Sequence, residues 1–81
     1  MPLKDFEIEK KVILLRLFLE EDESPNEALK VLANTKMATL KELKRFYKSL
    51  QEEGFITSEG KLTFLGIMEA KKAKKEFTLE N

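Results

Sequence analysis

Residues 39–54 read TLKELKRFYKSLQEEG, and this stretch sets the terms for the rest of the chain. Thr39 has Glu42 three residues behind it, the spacing of a capping box. In such a box each side chain satisfies a free backbone N–H of the first turn. Gly54 closes the segment, the residue best suited to the left-handed conformation that ends a helix. At 100° per residue, Leu40, Leu43, Phe46, Tyr47 and Leu50 share one face. Lys41, Lys44, Arg45 and Lys48 share the other. One side is made for a core and the opposite side carries four cations. After Gly54 come two short apolar pieces around Ser58-Glu59-Gly60, and this order predicts a small hairpin.

Upstream, Asp5 can cap a helix over about residues 5–20. Its apolar residues, among them Phe6, Ile8, Val12, Ile13, Leu14, Leu15, Leu17, Phe18 and Leu19, cover nearly the whole circumference. Such a helix is buried on almost all sides. It is either the central core helix or one that packs a second face on a partner subunit. Ser24-Pro25-Asn26-Glu27 repeats the helix-start signal, with Ser24 as cap and Pro25 at the first helical position. That second helix spans about residues 25–34, turns Ala28, Leu29, Leu32 and Ala33 inward, and ends near Asn34, with Met37 as an apolar plug in the turn. The third helix runs over about residues 40–53 and the hairpin over 55–63, with Gly60 left-handed in its loop. Thr63 caps a last helix over 64–77, whose Lys71, Lys72, Lys74 and Lys75 read as a solvated end. The whole of residues 1–81 is one domain.

Composition bounds the chemistry. The chain is 42% hydrophobic, has 15 basic and 15 acidic residues, and contains neither cysteine nor histidine. Disulfides, thiolate metal sites and the usual general base are thereby excluded. No Ser-His pair, glycine-rich phosphate loop or metal-ligand cluster is present, so neither an enzyme nor a cofactor is expected. The longest apolar run, Val12 to Leu15, cannot cross a bilayer. A soluble, cytoplasmic protein with no membrane partner is expected. Charge is uneven along the chain: residues 1–35 hold five basic against eight acidic side chains, residues 36–81 ten against seven. High Lys and Glu without Cys is a composition common in thermophiles.

Three segments together resemble a known superfamily. Ser24-Pro25-x-Glu27-Ala28-Leu29 resembles the start of the second helix in winged-helix regulators. Residues 43–56, LKRFYKSLQEEGFI, resemble the recognition helix with the first wing strand. Lys61-Leu62-Thr63-x-x-Gly66 resembles the second wing strand leading into the last helix. The similarity covers about residues 10–75 and is to the MarR- and PadR-like regulators and to small archaeal and archaeal-virus proteins. The wing is short, with Glu59 at its tip.

This resemblance implies a mainly α fold with a small β-hairpin, the winged helix-turn-helix of order α-α-α-β-β-α. It implies a transcriptional regulator that binds double-stranded DNA as a homodimer, with the third helix in the major groove. Lys41, Lys44, Arg45 and Lys48 would contact phosphate and bases, with Gln51 at the edge of their arc. Lys36 and Lys61 would flank them, and Thr39 with its helix start would seat a phosphate. Leu14, Phe18, Ile67, Met68 and Phe77 would form the dimer interface. The alternative expectation is a winged-helix module for protein–protein contact without DNA binding, which the zero net charge and surplus apolar residues favour.

Overall fold

A computed structural model describes residues 8–36 and 38–78. It contains four helices: α1 (Ile8–Leu19), α2 (Pro25–Asn34), α3 (Leu40–Glu52) and α4 (Phe64–Thr78). Asp5 and Met37, expected as a helix cap and a turn plug, lie outside the described residues.

Among the described residues there is no strand, so the expected winged helix-turn-helix with its β-hairpin does not form and the fold is all-helical. Residues 55–63 reverse the chain but share only one isolated antiparallel bridge, Ile56 to Leu62. The backbone hydrogen bonds give the reason. In an antiparallel ladder two facing residues exchange both bonds. Here Thr63 donates its N–H to the Phe55 carbonyl (3.0 Å), but the Phe55 N–H is spent on Leu50 of α3 (2.9 Å). Thr57 donates to the Lys61 carbonyl (2.7 Å), but the Lys61 N–H goes to the Thr57 hydroxyl (3.0 Å). Each flanking pair is therefore half made. Local side-chain and helix-end acceptors have captured the bonds a ladder needs.

The helix ends follow from sequence. Ser24 and Thr39 each form a complete capping box, with Glu27 and Glu42 respectively. At the end of α3, Gly54 (φ 91°) occupies the left-handed position. Its N–H reaches the Gln51 carbonyl (3.3 Å), while that of Phe55 reaches Leu50 (2.9 Å). That bond pair is the Schellman motif, with a glycine where a Cβ would be unfavourable. α2 ends at Asn34, where Thr35 caps it and Lys36 takes the left-handed conformation at φ 66°. At the start of α4 the Thr63 hydroxyl accepts from the Gly66 N–H (3.1 Å) and donates to the Gly54 carbonyl (2.6 Å). One side chain thus ties the end of α3 to the start of α4.

α1 packs against α2, α3 and α4, and is the central helix of the fold. Ile13 and Leu14 are fully buried, joined by Leu29 and Leu32 of α2, Leu43 and Leu50 of α3, Ile56, and Ala70 of α4. The expectation that Leu14 serves a dimer interface is corrected here: the chain's own helices enclose it completely. The other three helices and a short reversal pack around α1, and the small side chains of Ala28, Ala70 and Ala73 are buried among them. Gly66 works the same way, since a methyl group there would overlap the carbonyl oxygen of Phe55.

Candidate nucleic-acid interface

α3 is fixed on one side and free on the other. Leu43 and Leu50 have no exposed surface, and Leu40, Phe46 and Tyr47 pack around them. Gly60 sits against Pro25 and the Tyr47 hydroxyl, bracing the outer end of this packing. Burial of that hydroxyl raises the Tyr47 pKa above its ordinary value. Helical spacing then carries Lys41, Lys44, Arg45 and Lys48 to the opposite side, and all four are exposed. They span an arc of about 100° and a length of about 10 Å along the helix. Glu52 stands at the far end of the same arc, also exposed.

The ion pairs of the described residues lie elsewhere. Lys10 meets Glu53 (3.0 Å), Lys11 meets Glu76 (2.8 Å), Arg16 meets Glu23 (2.8 Å), and Lys72 meets Glu69 (3.5 Å). Three of these pairs involve α1 and the fourth lies within α4. The four cations of α3 make no such pair, so apart from Glu52, which lies beside Lys48 at its far end, this face of α3 is positive.

The remaining candidates divide. Lys36 is exposed in the turn that leads into α3. Thr39 is exposed too, but its hydroxyl accepts the Glu42 N–H (3.1 Å), and the Glu42 carboxylate accepts the Thr39 N–H (3.0 Å). A carboxylate already occupies the start of α3, so Thr39 does not offer the expected phosphate seat. Gln51 is turned away from the cation arc: its amide donates to the Thr57 carbonyl (2.9 Å) and holds the turn after α3. Lys61 belongs to another surface, a groove of about 370 Å³ lined by Leu17, Phe18, Leu62 and Ile67 with Glu21 and Glu23 at its edge.

Of the other residues expected at a subunit interface, Phe18 and Ile67 are half-buried and line that groove, while Met68 and Phe77 are exposed on α4. Phe64 and Leu65, the apolar pair that opens α4, are 75% and 52% exposed. Sequence reading missed the Arg16–Glu23 clasp. Arg16 Nε and a terminal nitrogen each donate to one Glu23 oxygen at 2.8 Å, a fork geometry that joins the end of α1 to the turn before α2. That hydrogen bond lowers the Glu23 pKa and raises that of Arg16.

No protein-family model, curated protein or solved structure matches this chain. Among the described residues no helix is long and apolar enough to cross a membrane, and no three carboxylates gather as metal ligands.

Proposed function

We propose that this protein binds double-stranded DNA through the outer face of α3. The observation that supports the reading is the row of four exposed cations without ion-pair partners, on a helix whose inner face is locked into the core. A helix fits the major groove of B-form DNA, about 12 Å wide. Lys41, Lys44 and Lys48 are suited to phosphate contacts, which position a protein without reading sequence. Arg45 is the side chain able to make a two-pronged contact with a guanine edge. Lys36 extends the row across the α2–α3 turn. With the Gln51 amide engaged internally, direct base reading rests on Arg45. Modest sequence preference over a salt-dependent background is the expected behaviour, that of a regulator or an architectural protein.

The test is the affinity for a short DNA duplex at several salt concentrations. Four phosphate contacts give a log–log slope of about −3 to −4. Lys44→Glu with Arg45→Glu should reduce affinity by at least about a hundredfold, since two contacts are lost and two repulsions added. The helical circular dichroism should be unchanged, because both side chains point into solvent. Binding that is absent, or indifferent to salt and to this double variant, would remove α3 as the reading element. A protein-contact module is the second reading, favoured by one observation only, the exposed apolar side chains at the start of α4.

A further inference from the structure

The direction in which α3 faces away from the core is set by its two fully buried side chains, Leu43 and Leu50. The line opposite them carries Lys41, Arg45, Lys48 and Glu52, each within about 30° of it, while Lys44 lies about 70° away. All five are exposed. Glu52 therefore stands on the crest of the helix, in line with Arg45 and about 10 Å beyond it. Its neighbour Glu53 pairs with Lys10 (3.0 Å), whereas Glu52 makes no ion pair among the described residues. Glu52 is also the last residue of α3, where the negative end of the helix dipole disfavours a carboxylate. It borders an open depression of about 250 Å³ with Lys48, Gln51 and Ser58, so the turn after α3 leaves it uncovered. Neither pairing nor helix electrostatics accounts for a carboxylate on this crest.

We propose that Glu52 is a second sequence-reading residue of α3 and selects a cytosine, an inference that rests on the binding of DNA by this helix. The crest of a helix goes deepest into the major groove, where base edges rather than phosphates are met. A carboxylate is an acceptor only, so it needs a donor there, and phosphate offers none. The cytosine N4 amino group is the donor suited to it. The adenine N6 amino group has acceptors on both sides, its own N7 and the O4 of thymine, whereas that of cytosine has one on the guanine side alone. Arg45, on the same line, is suited to guanine. B-form DNA rises about 3.4 Å per base pair, so contacts about 10 Å apart fall about three base pairs apart when α3 lies along the groove. The element read is a guanine and a cytosine at that separation. Against any other sequence the carboxylate faces acceptors and lowers affinity, which sharpens the choice.

The experiment is selection from a pool of duplexes with a randomised centre, using the full chain as wild type, Glu52→Gln and Glu52→Ala. Affinities for the selected duplex and its single-pair variants are then measured at several salt concentrations. The wild type is expected to enrich a guanine and, about three pairs away, a cytosine. Replacing that C·G pair should weaken binding at least about fivefold. Glu52→Gln should move the preference at that one position to adenine, whose N6 and N7 suit a glutamine amide, and leave the guanine in place. Glu52→Ala should lose the preference there and bind random duplex at least about twofold more tightly than wild type. Because Glu52 is exposed, both variants should keep the helical circular dichroism of the wild type. If all three proteins select the same bases while binding still weakens with salt, the inference is overturned and the DNA reading of α3 stands. Loss of the guanine preference in Glu52→Gln overturns it too, since Glu52 would then act by placing α3 rather than by touching a base. A wild type that binds no duplex in a salt-dependent way overturns the DNA reading and this inference with it.

Discussion

Lys36 is the one described residue other than glycine in the left-handed region. A Cβ there costs about 1 kcal/mol, and glycine would remove that cost at the end of α2. Lys36→Gly is therefore expected to raise stability in urea unfolding by up to about 1 kcal/mol. If Lys36 also contacts phosphate, the same substitution lowers the DNA salt slope by about one unit. A stabilised variant with an unchanged slope would place Lys36 outside the interface. The Arg16–Glu23 clasp gives a second residue-scale expectation, in pH. Arg16 holds the Glu23 carboxyl below its ordinary pKa. Its contribution to stability is complete above the unfolded value of about 4.3 and is lost as pH falls through the lower folded value. Glu23→Gln should be less stable than wild type at neutral pH. That gap in urea midpoint should narrow at about pH 3; a constant gap would show that the clasp is not electrostatic.

The helices were legible because their signals are local. Ser24 with Glu27 and Thr39 with Glu42 are read from spacing alone, and α2 and α3 start directly after these caps, at Pro25 and Leu40. Gly54 as the terminator of α3 is equally local. Whether residues 55–63 pair as strands is not local. It depends on where the N–H groups of Phe55 and Lys61 find acceptors, and those acceptors are the Leu50 carbonyl of α3 and the Thr57 hydroxyl. The cation arc of α3 was legible from periodicity, whereas the diversion of Gln51 to Thr57 needed the folded turn to exist first. The close approach of α4 to the Phe55 carbonyl was likewise invisible in sequence. It makes Gly66 a sharp test of the junction. Gly66→Ala would improve helix propensity but force backbone against backbone, at a cost of about 2–3 kcal/mol. A variant as stable as wild type in thermal unfolding would show that α4 can withdraw from the turn.

At the scale of the whole molecule, an apolar circumference on a helix in a chain of 81 residues left two possibilities open, a core helix or a helix shared between subunits. The choice falls to the first for Leu14, because α2, α3 and α4 all reach α1 and leave that side chain no exposed surface. A domain of this size has a net stability of roughly 4–12 kcal/mol. Leu14→Ala removes three buried carbons at the centre of the core, at a cost of about 3 kcal/mol. It should therefore consume a large part of the total. Because the burial is internal, that loss should be the same in urea unfolding at low and at high protein concentration. A Leu14→Ala penalty that vanished on dilution would mean that a partner, not the chain itself, completes the packing around α1.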